Sequence, residues 1–125
     1  MVNTRDPEAQ RLALAAMQAL SRGDKAAAAG FARQLLLRRA TDPNAHQVLG
    51  VLALEAGDLA AARRHLETAN SAAPNQAQTI NTLGVALRRQ GETEAARRAF
   101  AAARALGLIG GSRNLVVTSV LNVGR

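Results

Sequence analysis

Residues 49–69, LGVLALEAGDLAAARRHLETA, return 34 positions later as residues 83–103, LGVALRRQGETEAARRAFAAA. The identities stay in register. Leu49-Gly50-Val51 falls on Leu83-Gly84-Val85, Gly57 on Gly91, Ala61-Ala62-Arg63-Arg64 on Ala95-Ala96-Arg97-Arg98, and Ala69 on Ala103. So many coincidences at one offset constitute an internal repeat, and self-similarity at this period points to stacked supersecondary units. One further step back of 34 reaches Ala16, Gly23, Ala28 and Leu35, a weaker first copy.

Inside each copy the local signals describe two helices and a tight turn. Asp42-Pro43 reads as an N-cap followed by proline at the first helical position, where its missing N–H costs nothing. Asp6-Pro7 opens the first copy in the same way, and Asn75 is the candidate cap of the third. Each copy breaks at Gly23-Asp24, Gly57-Asp58 or Gly91-Glu92, where glycine ends one helix in the left-handed region and an acidic residue favours the next N-terminus. These signals predict six helices, over 7–22, 25–40, 43–56, 59–72, 76–90 and 93–106. The fold class is all-α.

Composition agrees. The 125 residues suffice for one domain, and 48% of them are hydrophobic, yet only 2% are aromatic: Phe31 and Phe100. Alanine therefore carries much of the apolar count, which suits helices whose backbones approach closely. Gly50 and Gly84 stand mid-helix, where glycine costs about 1 kcal/mol relative to alanine. The missing side chain is tolerable if the partner helix moves into its place, with Ala62 and Ala96 as natural contacts and Leu66 and Phe100 one turn further on.

These residues resemble the tetratricopeptide repeat (TPR) family, whose 34-residue pattern runs W-x2-L-G-x2-Y, A-x3-F, P. The second copy sets His46, Leu49-Gly50, Ala53, Ala62, Leu66 and Pro74 against that pattern, and the third Ile80, Leu83-Gly84, Leu87, Ala96, Phe100 and Leu108. The first sets Leu12, Ala15-Ala16, Ala19, Ala28, Ala32 and Ala40. Its Pro43 falls three residues late, which predicts a second helix longer by about a turn. The resemblance implies a short right-handed solenoid over residues 1–110, with repeats at about 7–42, 43–76 and 77–108, followed by a tail, 111–125.

No catalytic constellation is legible. The chain has no cysteine, which removes disulfides, thiol nucleophiles and zinc ribbons together. His46 and His65 lie on opposite helices of one copy without a metal-ligand spacing, and His46, at the large-aromatic place of the TPR pattern, reads as packing within the helical pair. Gly107-Leu-Ile-Gly-Gly-Ser112 lacks the Lys-Ser/Thr of a phosphate loop and reads as a helix stop. We expect no cofactor, no metal and no enzyme activity. The N-terminus has no apolar run of signal-peptide type, and no stretch suggests a membrane span, so the expected location is cytoplasmic.

What such a solenoid offers is a surface lined by the first helix of each pair. Helical periodicity assigns to it Gln10, Ala13, Met17 and Leu20 in the first copy, Asn44, Gln47, Val51 and Leu54 in the second, and Gln78, Asn81, Val85 and Arg88 in the third. Amide side chains bond a peptide backbone, while small apolar residues receive its side chains. A peptide segment of a protein partner is the expected ligand, bound without chemistry. TPR proteins that grip a C-terminal carboxylate carry charged groove residues. The matching places here, Ala13, Met17, Val48, Gln78 and Thr82, carry none.

The formal net charge is +7, from 16 Lys and Arg against 9 Asp and Glu. The arginine pairs 63–64 and 97–98 repeat on second helices and read as solvated outer faces. No stacking aromatics accompany them, so nucleic acid is not the expected partner. The tail, with Leu115-Val-Val-Thr-Ser-Val-Leu-Asn-Val123, is uncharged and β-branched. It admits three readings: a capping helix, an extended segment in its own or a neighbour's groove, or the start of a further domain. Two alternatives to a peptide-binding module follow, a scaffold that self-associates through 115–123 and a regulatory region of a larger enzyme.

Overall fold

The structure, a computed structural model, describes residues 6–110, with side chains as far as residue 107. Its six helices are α1 (Pro7–Ser21), α2 (Lys25–Arg38), α3 (Pro43–Ala56), α4 (Leu59–Ala72), α5 (Ala77–Arg89) and α6 (Thr93–Gly110). They pack as consecutive antiparallel-type pairs, α1 with α2, α3 with α4 and α5 with α6. Each pair then stacks on the next through α2 with α3 and α4 with α5. The odd-numbered helices also touch in series, α1 with α3 and α3 with α5. This is an all-α stack of helix pairs, a helical solenoid.

The helix starts follow from acidic caps. Asp6, Asp24 and Asp58 each accept the N–H three residues on, from Ala9, Ala27 and Ala61 at 3.1, 3.2 and 3.1 Å. Asp42, buried, accepts from both Asn44 and Ala45 at 2.9 and 3.1 Å. A cap of this kind contributes about 1 kcal/mol. The intra-pair turns are made by Gly23, Gly57 and Gly91, with φ of 80°, 86° and 87°. After each, the next residue donates its N–H back to the carbonyl of Ala19, Ala53 or Leu87, all at 2.9 Å, closing the helix end.

Three local expectations change. α2 is not lengthened: it ends at Arg38, with the same 14 residues as α4. Pro43 is the first residue of α3, whereas Pro74 lies in the link after α4, so the two prolines do different jobs. Asn75 does not cap α5. It adopts φ 68°, a conformation asparagine tolerates, and Gln76 holds the cap position without a side-chain bond. α6 runs on to Gly110, so residues 107–110 are helical rather than a stop. The rest of the glycine-rich run and the tail 111–125 lie outside the described residues.

The interior is built from alanine with a few leucines and Val48. One cluster joins α1, α2 and α3 through Leu12, Ala16, Ala28, Ala32, Leu35 and Val48, among others. A second joins α3, α4 and α5 through Leu54, Ala62, Leu66 and Ala86. The two mid-helix glycines are required by closeness. A Cβ at Gly50 would lie 2.7 Å from Leu66 Cγ, and one at Gly84 would lie 2.8 Å from Phe100 Cε1. Ion pairs between elements, Arg38 to Asp6, Lys25 to Glu55 and Arg63 to Glu92, are exposed or half-exposed and add little.

Candidate functional site

The helices that touch in series, α1, α3 and α5, share one side of the stack, and two cavities of about 350 Å³ each open there. The first is lined by Ala9, Gln10, Ala13, Leu14 and Met17 of α1 with Arg39, Asp42 and Asn44. The second is lined by Met17 with Pro43, Asn44 and Gln47 of α3, and by Ala73, Gln76, Gln78 and Thr79. Met17 and Asn44 belong to both, so the two form one track from α1 across α3 to the start of α5. Its apolar contribution is concentrated on α1, where Leu14 is 59% and Met17 36% exposed.

The polar side of the track is unusual. Gln47 is only 7% exposed, and neither its amide nitrogen nor its amide oxygen has a hydrogen-bond partner among the described residues. Outside the cavities and one repeat on, Asn81 is equally buried and its side-chain oxygen is also unpartnered. An unsatisfied buried amide costs about 1–3 kcal/mol, so such a group calls for a partner beyond these residues, a water or a ligand. A primary amide donates and accepts side by side, which matches one peptide unit of an extended chain.

Of the residues assigned to this face by periodicity, Gln10, Ala13, Met17, Asn44, Gln47 and Gln78 line the two cavities. Val51, Leu54, Asn81, Val85 and Arg88 do not. Leu54 belongs to the core with Ala62, Leu66 and Ala86, and Val85 packs against that cluster. Leu20 packs on the first cluster, and Arg88 lies over the Phe100 ring at 5.4 Å, towards α6. The reason is that α3 and α5 are enclosed by more neighbours than α1, so their free stripe is narrower than one helical face. Leu14 and Thr79 were not among the assigned residues. The signal for Leu14 is its spacing from Gln10 and Met17, four and three residues, which sets all three on one face of α1.

His46 and His65 meet between α3 and α4 rather than at the cavities. Among the described residues no three His, Cys, Asp or Glu side chains gather to hold a metal ion, and no helix is long and apolar enough to cross a membrane. Arg63 is held by Glu67 at 2.9 Å and Arg97 by Glu94 at 2.6 Å, both on the second helices.

No protein-family model matches the chain. A TPR repeat-containing protein of Pseudomonas aeruginosa is 41% identical to it over 78 residues, which is 62% of this chain and 31% of that protein. Helix pairs and relative together fit a TPR-like protein. The chain thus spans less than a third of the relative it matches, and the relative's likeness points to protein interaction in general terms.

Proposed function

We propose that this TPR-like chain is a non-enzymatic protein-interaction module that holds an extended segment of a partner across α1, α3 and α5. The observation that carries this reading is Gln47: a buried amide with both polar atoms unpartnered, on the wall of a track whose α1 side presents Leu14 and Met17. Gln47, whose amide atoms are shielded in the free chain, turns into the cavity to accept from and donate to one backbone unit of the ligand. Met17 and Leu14 receive a neighbouring apolar side chain, and Gln10, Asn44 and Gln78 line the edges. The site carries few charges, so the segment it fits is uncharged where it crosses the track.

The test is selection of random displayed peptides on the immobilised chain, followed by calorimetry of the best binders. Affinities in the micromolar range, about −8 kcal/mol, are expected. Gln47→Leu is expected to weaken binding roughly tenfold, the worth of one or two hydrogen bonds, and to raise stability by about 1 kcal/mol by removing two orphaned polar atoms. Met17→Glu is expected to abolish binding while leaving helix content intact. Unchanged affinity in both variants would contradict the reading.

A further inference from the structure

His46 of α3 and His65 of α4 are the two histidines of the chain. Their Nδ1 atoms lie 3.0 Å apart and their ring centroids 5.2 Å. The other nitrogen of His46, Nε2, lies 2.9 Å from the carbonyl oxygen of Ala40, in the link between α2 and α3. A carbonyl oxygen only accepts, so Nε2 carries a hydrogen. Nδ1 of a neutral His46 is therefore an acceptor, and the Nδ1–H of His65 donates to it. One chain of bonds thus runs from the α2–α3 link through α3 to α4.

Proton counting gives this chain a limit. With one proton added, either ring as a cation still donates to the lone pair of the other. With two added, both Nδ1 atoms carry hydrogen, and two cations face each other across a hydrogen-bond distance with no acceptor between them. The contact then opens. We propose that the His46–His65 pair is an acid-released clasp, tying the α2–α3 link to the middle helix pair while at most one added proton is present and letting go when both rings are charged.

The surroundings act in the same direction. Burial, then the facing His46 and neighbouring Arg64, hold His65 below the ordinary histidine value, with Asp58 opposing them. On the α2–α3 side, Asp42 is occupied by the N–H groups of Asn44 and Ala45, and Arg38 by Asp6. Towards the α5–α6 turn, Arg63 engages Glu92. Because the folded chain takes up the last proton at lower pH than the unfolded chain, stability is full above about 6.5 and declines as pH falls through that value towards the folded one. Release would loosen the start of α3, which carries Asn44 and Gln47. The clasp itself is independent of any ligand.

The experiment is a histidine-ring titration by NMR on the full chain, with thermal melts between pH 7.5 and 5.5 on wild type and His46→Phe. Expected are His65 titrating below the ordinary value and a wild-type Tm that drops by a few degrees across the window. His46→Phe, which keeps a ring in place but loses both bonds, is expected to lose clearly less Tm over that range, retaining only the part that the burial of His65 causes. Two rings titrating independently at ordinary values, or equal Tm losses in both proteins, would overturn the clasp. Should the variant fail to fold, the wild-type titration decides alone.

Discussion

Leu66→Ala is expected to lower the stability of the stack by about 3 kcal/mol, a loss of roughly 15 °C in Tm for a chain of this size. Leu66 is fully buried, among the largest side chains that are, and it touches the second cluster where α3, α4 and α5 converge. Truncation removes the transfer free energy of the lost carbons and leaves a cavity. Its buried neighbours Ala62 and Ala86 are too short to fill that cavity, so little relaxation offsets the cost. Stacked pairs depend on the interface with the next pair, so weakening the middle one is felt at both ends. Chemical denaturation measures the effect. Leu37→Ala, at a residue 88% exposed, is the control and is expected to change stability by less than about 0.5 kcal/mol.

Gly50→Ala is expected to destabilise the native chain by about 1 kcal/mol and to stabilise the Leu66→Ala variant by a similar amount. Two effects compete at this position. Alanine gains about 1 kcal/mol over glycine inside a helix. Against that, the new Cβ would sit 2.7 Å from Leu66 Cγ and 2.9 Å from its Cδ2. Leu66 has no free space to retreat into, and overpacking of a closed core costs about 1–3 kcal/mol. Removing Leu66 removes the clash and leaves the helix gain, so the sign reverses. A double-mutant cycle reads the coupling directly. Simple additivity would mean that Gly50 does not owe its identity to Leu66. Gly84→Ala is milder, because its Cβ would meet the ring of Phe100, which is only half-buried and free to swing.

Much of this architecture was legible because it rests on local chemistry repeated at one interval. The Asp-Pro starts and the three turn glycines fixed the helices to within two residues, apart from the end of α6. Asn75 was misread because the sequence shows a residue able to cap, not whether its backbone is extended; here the chain needs a left-handed residue at that link, and asparagine supplies it. The expected lengthening of α2 failed for a related reason. A proline two residues past one helix and a proline beginning the next look alike in the sequence, but only the second has a caps-and-first-turn geometry.

The residues that line the two cavities were legible on α1 and less so on α3 and α5. Periodicity gives each helix one free face of equal width. Packing then narrows that face wherever neighbours enclose the helix on several sides, which is how Leu54 came to be core and Gln47 came to be buried without partners. The His46–His65 contact was beyond sequence reading altogether, since 19 positions of separation become 3.0 Å only through the angle between α3 and α4.

The most direct measurement is amide chemical-shift mapping of the chain with the best peptide from the display selection. Changes are expected on α1, α3 and the start of α5, around Met17, Asn44, Gln47 and Gln78. Changes concentrated on α2, α4 and α6 would contradict the proposed binding track.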